Sequence, residues 1–127
     1  MWVCAILITE HNANKNGEVK KMKLLTKELR EKFPKLYANE NKKAEDVKVI
    51  AKFFNPLGNG RWFATEFDGE DLFFGYADLG FPELGYFSLS ELESVDVGLG
   101  LGIERDLHFG EHTLAEVMER VDRGEHV

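Results

Sequence analysis

The sequence predicts an α+β fold, in which a small antiparallel sheet packs with N-terminal, middle and C-terminal helices. Short runs rich in β-branched and aromatic residues predict the strands, and Asp68-Gly69 between two of these runs predicts a hairpin. Capping patterns at Thr26, Ser88 and Thr113 predict the starts of three helices. A length of 127 residues and an apolar share of 43% suit one folded domain.

Residues 1–21 are expected to stand apart from a single domain formed by residues 22–127. Residues 1–8 are apolar, but they have neither the basic leader of a signal peptide nor the length of a membrane span. Residues 17–22 can be encoded by a stretch that contains a bacterial ribosome-binding sequence followed by an ATG codon. We therefore expect residues 1–21 to be translated upstream sequence or a disordered extension. The alternative is a short strand added to a sheet edge.

Cysteine content and charge limit the classes of function. Cys4 is the single cysteine, so residues 22–127 cannot form a disulfide, and the cytoplasm is the expected location. The net charge of −7 disfavours direct binding of nucleic acid, because that binding depends on basic side chains that neutralise phosphates. An acidic surface suits a protein partner instead, including a basic protein that itself binds DNA or RNA. Nothing in the sequence indicates a membrane partner or a cofactor.

The first half of the domain contains one predicted helix and one predicted strand. Residues 26–33 form the helix, and Leu25, Leu29 and Phe33 give it an apolar stripe at fourfold spacing. Residues 47–54 form the strand, which alternates so that Lys48 and Lys52 share one side.

The hairpin around Asp68-Gly69 joins predicted strands at residues 61–67 and 71–77. A two-residue turn gives it one core face, made of Phe63, Phe67, Leu72, Phe74 and Tyr76. The opposite, outer face then consists of Trp62, Ala64, Glu66, Asp71, Phe73 and Gly75. That register places the carboxylates of Glu66 and Asp71 directly opposite each other, which costs stability, so a longer turn is expected.

The second half of the domain is predicted to start with a loop over residues 78–85. Tyr86-Phe87 is read as a short strand, and a helix follows from the Ser88 cap. Residues 98–102 are glycine-rich and are expected to form a flexible loop. Residues 103–109 alternate as a strand does, and a last helix runs from the Thr113 cap to about Arg123.

Two groups of residues are candidates for contact with a partner. The hairpin tip carries four carboxylates, whose density would suit Mg²⁺ or Ca²⁺ but whose spacing does not match an EF-hand loop, so no metal is expected there: Glu66, Asp68, Glu70 and Asp71. Aromatic side chains on an outer face or loop often anchor partners, and here the candidates are Trp62, Phe81 and Tyr86. The alternatives are a solvated turn for the carboxylates and ordinary core for the aromatic residues.

A catalytic alternative uses Glu104, Asp106 and His108. Alternate residues of a strand point to the same side, so a carboxylate and the imidazole could transfer protons or bind metal in a hydrolase. Catalytic zinc normally has three protein ligands, and only two histidines lie in this region. A polar outer strand face is the competing interpretation.

Five segments of the chain carry a family resemblance: residues 22–40 (MKLLTKELREKFPKLYANE), 51–54 (AKFF), 65–76 (TEFDGEDLFFGY), 83–95 (ELGYFSLSELESV) and 100–109 (GLGIERDLHF). Through them the sequence, from Met22 to about Val117, resembles the domain-of-unknown-function 2958 family of small bacterial proteins. The resemblance implies an association with plasmids and integrated elements, often near conjugation and anti-restriction genes. It implies no activity and no catalytic residues.

The sequence thus favours a small acidic binding or regulatory protein without enzymatic activity. We expect it to act on a protein partner, in the manner of anti-defence or anti-restriction proteins. The alternatives are the hydrolase described above and a structural subunit of a larger complex.

Overall fold

The computed structural model describes residues 23–127, which form two antiparallel sheets and three α-helices. The helices are α1 (Lys27–Lys32), α2 (Leu89–Ser94) and α3 (Leu114–Asp122), and a 3-10 turn covers Ala44–Asp46. The strands are β1 (Lys48–Val49), β2 (Ala51–Phe54), β3 (Arg61–Phe67), β4 (Leu72–Asp78), β5 (Pro82–Ser88), β6 (Glu104–Arg105) and β7 (His112–Thr113). The large sheet has the order β5-β4-β3-β2-β6, and β1 pairs with β7. The predicted α+β class is confirmed, and the expectation for residues 1–21 lies outside the described residues.

The three helix starts follow from local sequence. The hydroxyls of Thr26, Ser88 and Thr113 each accept a hydrogen bond from the main-chain N–H three residues on, at 3.1 to 3.3 Å. These are the predicted N-caps, and all three are confirmed. The longest described helix, α3, has nine residues, and no helix among residues 23–127 is long and apolar enough to cross a membrane.

The large sheet is covered on both faces, so it has two cores. The first face packs against α1 and α2, and its core consists of Leu24, Leu25, Phe33, Ala51, Phe53, Ala64, Phe67, Phe73, Leu89, Leu92 and Ile103. The second face packs against α3, and its core consists of Val47, Val49, Phe63, Tyr76, Phe109, Leu114, Val117, Val121 and Val127. The predicted division into one core face and one outer face is therefore wrong, because Ala64 and Phe73, expected outside, are fully buried.

A β-bulge at Thr65 explains how the hairpin differs from its prediction. Five residues separate the paired Phe67 and Phe73, and this odd number turns β4 over relative to the end of β3. The bulge adds one residue to β3. Beyond the bulge, Phe63 pairs with Tyr76, so these two residues share one face of the sheet as predicted. Glu66 and Phe67 consequently exchange faces. The expected longer turn is confirmed, and Glu66 lies opposite Phe74 instead of Asp71.

Three predicted strands differ from the structure by more than one residue. The strand predicted over residues 47–54 is divided at Ile50 into β1 of the small sheet and β2 of the large sheet. Strand β5 begins at Pro82, within the expected loop, because proline is tolerated at the first residue of an edge strand. Strand β6 ends at Arg105, although alternation continues to residue 109. The Asp106 side chain accepts a hydrogen bond from the His108 N–H at 2.9 Å, and this local turn competes with further pairing.

Candidate functional site

The Asp68 carboxylate closes the hairpin turn. One of its oxygens accepts hydrogen bonds from the main-chain N–H groups of Glu70, Asp71 and Leu72, at 2.8 to 3.0 Å. These bonds favour the charged form and hold the pKa of Asp68 below its ordinary value. The Asp68 carboxylate thus stabilises the turn, whereas the Glu70 side chain is exposed to solvent.

The Asp71 carboxylate connects the hairpin tip to α2. It accepts hydrogen bonds from the Ser88 hydroxyl at 2.6 Å and from the Ser90 N–H at 2.8 Å. These bonds lower the pKa of Asp71. Since Ser88 is the N-cap of α2, the carboxylate extends the cap and fixes the helix to the hairpin.

The Glu66 carboxylate organises a neighbouring loop. The bulge turns this side chain to the second face, where it is only 4% exposed. Its two oxygens accept hydrogen bonds from the N–H groups of Tyr37, at 2.8 Å, and Asn39, at 2.9 Å. Tyr37 has a φ of 70°, a left-handed conformation that is costly for a residue with a bulky side chain. The buried Glu66 therefore stabilises a strained turn.

A group of large side chains, exposed except for the half-buried Phe74, lies beside that turn, and we call Tyr37, Phe74, Leu84 and Tyr86 the aromatic surface. Tyr86 lies opposite Phe74 across β4 and β5, with their rings edge to face and their centroids 5.1 Å apart. Tyr37 and Tyr86 are 63% and 52% exposed. The pKa of Tyr86 is raised, first by interaction with the Tyr37 hydroxyl and then by burial.

The aromatic candidates from the sequence have different surroundings. Trp62 is half-buried and packs against the first core. Phe81 is 88% exposed at the turn between β4 and β5, next to the exposed Leu79. Of the seven partner-binding candidates, the structure brings Tyr86 and Glu66 together through Tyr37. Asp68 and Asp71 serve the hairpin, and no group of three or more His, Cys, Asp or Glu residues within 23–127 could hold a metal ion.

Glu66→Gln tests the role of the buried carboxylate. A glutamine can accept one of the two main-chain N–H groups, but its own NH₂ would face the other. We expect a loss of about 2 kcal/mol in the free energy of unfolding, since a buried charge-assisted bond is removed and a donor is left unpaired. Glu70→Gln, at an exposed site of the same hairpin, serves as the control and should change stability by less than about 0.5 kcal/mol. Urea unfolding measures both variants, and equal effects would contradict the assignment.

The residues of the catalytic alternative differ in their exposure to solvent. Glu104 is buried, and its Oε2 has no hydrogen-bond partner among the described residues. His108 is exposed, and its contact with Asp106 is made by its main-chain N–H. No hydrogen bond joins the side chains of these three residues within the described part of the chain.

A cavity of about 940 Å³ lies on the second face of the sheet, and we call it the second-face cavity. Ionisable side chains from three strands and from the chain after β6 and α3 line it: Lys52, Arg61, Asp78, Asp106 and His126. The turn over residues 55–60 forms one wall. Sequence reasoning did not select this site. The alternation of residues 47–54 placed Lys52 with the exposed Lys48, yet Lys52 is only 2% exposed.

Two ion pairs define the electrostatics of the second-face cavity. Arg61 donates a hydrogen bond to Asp78 at 2.5 Å, which lowers the pKa of Asp78. The Lys52 Nζ lies 3.6 Å from an oxygen of Asp106 and donates a hydrogen bond to the Val127 main-chain oxygen. Burial lowers the pKa of Lys52, Asp106 opposes that shift, and repulsion from Arg61 adds to it.

Comparison with known proteins identifies a family. No curated protein and no solved structure matches the chain. A family model described as "Protein of unknown function (DUF2958)" matches residues 24–127, which is most of the chain. The segments that carry the resemblance in the sequence lie almost wholly within this range. The chain therefore belongs to the DUF2958 family of proteins of unknown function.

Proposed function

We propose that the protein is a cytoplasmic binding protein without enzymatic activity, and that it engages a basic protein partner through the aromatic surface. The observation that carries the proposal is the left-handed Tyr37, held by the buried Glu66 beside the exposed Tyr86. A strained backbone that positions an exposed aromatic ring costs stability, and such strain is concentrated at functional sites. Tyrosines are also enriched among the residues that dominate binding at protein interfaces.

The charge distribution favours a basic partner. Residues 66–127, which include β4, β5 and α2, contain sixteen Asp or Glu residues but only three Arg and no Lys. Around the aromatic surface, the pKa of Tyr86 is raised first by Tyr37 and burial and, to a smaller extent, by the negative charges of Glu66 and Glu40. A partner that carries Lys or Arg around an apolar contact would complement this surface, and nucleic-acid-binding proteins have such surfaces. An anti-defence protein of a mobile element that blocks such a site is the form of this function that we favour.

The position of β5 supports the same proposal. β5 is an outer strand of the large sheet, and its one neighbouring strand among the described residues is β4. Four of its seven residues are exposed, including Leu84 and Tyr86. Edge strands with exposed apolar side chains are common places for another chain to dock.

The proposal can be tested by affinity capture from host lysate with matched variants. We expect the wild-type protein to retain a basic, nucleic-acid-binding protein that is released by salt. Tyr86→Ala should lose it, because that change removes the centre of the aromatic surface. Leu107→Ala is the control, since Leu107 is 56% exposed and follows β6 at the opposite edge of the sheet. Retention of the same proteins by wild type and Tyr86→Ala would contradict the proposal.

A second variant separates the role of the Tyr37 ring from that of the fold. Tyr37→Gly should keep the thermal midpoint within a few degrees, because relief of the left-handed strain and the added freedom of the unfolded chain are each worth about 1 kcal/mol and oppose each other. The variant should nevertheless lose most of the captured partner. Full retention of the partner by a folded Tyr37→Gly protein would show that the ring is no part of the interface.

A further inference from the structure

We propose that the second-face cavity is a binding site for a small organic anion, with the carboxylate or phosphate group of that anion held between Lys52 and Arg61. This site lies apart from the aromatic surface in its lining residues and does not depend on the proposed function. Its volume of about 940 Å³ lies within the range of small-molecule sites.

The first argument is the placement of two cations at the same ring. The Lys52 Nζ lies 6.0 Å and the Arg61 Cζ 5.9 Å from the centroid of Phe63. The two groups are near enough for the charge of Arg61 to disfavour the protonated form of Lys52. An anion between them would relieve this repulsion and would gain two charge-assisted hydrogen bonds.

The second argument is the number of N–H groups that remain for a ligand. Lys52 has three, and the structure gives its ammonium group two partners among the described residues, the Val127 main-chain oxygen and Asp106. Arg61 has five, and its hydrogen bond to Asp78 uses one. A nearly buried ammonium group that faces a cavity with an unused donor is suited to hold an anion.

The carboxylates of the cavity do not block this site. One oxygen of Asp106 accepts a hydrogen bond from the His108 N–H at 2.9 Å, and the carboxylate stays 3.6 Å from Lys52, beyond the length of a good hydrogen bond. Asp78 is bound closely to one nitrogen of Arg61. Phe54, whose ring centroid lies 5.6 Å from the Lys52 Nζ, offers an apolar wall to the body of the ligand.

Amide NMR titration tests the proposal, with inorganic phosphate and benzoate as the two probes and chloride at equal ionic strength as the reference. We expect saturable shifts at the amides of Lys52, Arg61, Asn55 and residues 57–60 with one or both probes. A response to phosphate alone indicates a phosphate ligand, and a response to benzoate alone indicates a carboxylate. Absence of saturable shifts at these residues with either probe would overturn the proposal.

Three variants test the proposal further, and each is expected to have a different effect on the affinity for the responding probe. Lys52→Met should weaken binding of the responding probe by about tenfold or more, since one of the two charge-assisted bonds is lost. Lys48→Met, four residues earlier at an exposed position of β1, should leave the affinity unchanged. Asp106→Asn removes a competing carboxylate, so at a slightly acidic pH, which keeps Lys52 protonated without the support of Asp106, it should tighten binding by about threefold or more. Equal affinities for Lys52→Met and Lys48→Met, or no gain in Asp106→Asn, would contradict the assignment.

Discussion

Gly75→Ala is expected to destabilise the fold by more than about 2 kcal/mol, because the added methyl group has no room. A Cβ at Gly75 would lie 2.0 Å from the carbonyl oxygen and 2.9 Å from the carbonyl carbon of Phe63. These are main-chain atoms of the neighbouring strand, so relief requires β3 and β4 to separate. Phe63 and Tyr76, which pair beside this position, would lose their packing in the second core.

Gly85→Ala is the matched control for this prediction. Gly85 lies directly opposite Gly75 across β4 and β5, yet a Cβ there would meet no atom within 4 Å. We expect its effect on the free energy of unfolding to be less than about 0.5 kcal/mol in either direction. Urea unfolding followed by circular dichroism compares the two variants. Similar midpoints for both would show that the close approach at Gly75 does not constrain the sheet.

The elements that follow from the sequence are those with local causes. The caps at Thr26, Ser88 and Thr113 act over three residues, and the hairpin follows from Asp68-Gly69 with apolar runs on both sides. The bulge at Thr65 has no comparable local signal. It depends on the length of the turn and on both faces of the sheet being covered, and these are properties of the assembled fold. The faces of Glu66 and Phe67 were therefore not predictable.

The same reason limits what the sequence says about the candidate sites. The exposure of Tyr86 and Phe81 could be predicted from the sequence, because Phe81 lies within a glycine-containing segment and Tyr86 directly follows it. The buried positions of Lys52 and Glu66 could not be predicted, since a charged residue in an alternating strand normally faces solvent. Tyr37 was also missed. Its left-handed conformation is imposed by Glu66, which lies twenty-nine residues away in the chain.

The second large effect that we expect concerns Glu104, which makes the free energy of unfolding depend on pH. Its side chain is only 3% exposed, and its Oε2 has no hydrogen-bond partner among the described residues. Burial raises its pKa from 4.5 to about 7. Between these values the folded protein retains a proton that the unfolded chain releases, so the free energy of unfolding falls as pH rises. The favourable contribution is complete below pH 4.5 and is lost as pH rises through about 7.

Glu104→Gln should remove this dependence, because the amide is neutral at every pH. The shift of the pKa corresponds to about 3 kcal/mol, so relative to wild type the variant should gain about that much stability between pH 4 and pH 8. Glu111→Gln, at an exposed position, is the control and should follow the wild-type pH profile. Urea unfolding at several pH values measures all three proteins. Parallel profiles for wild type and Glu104→Gln would mean that the buried carboxyl ionises with its ordinary pKa. An added stability near pH 8 that is absent near pH 4 would instead assign the cost to the charge of Glu104, because the protonated carboxyl and the amide are both neutral near pH 4.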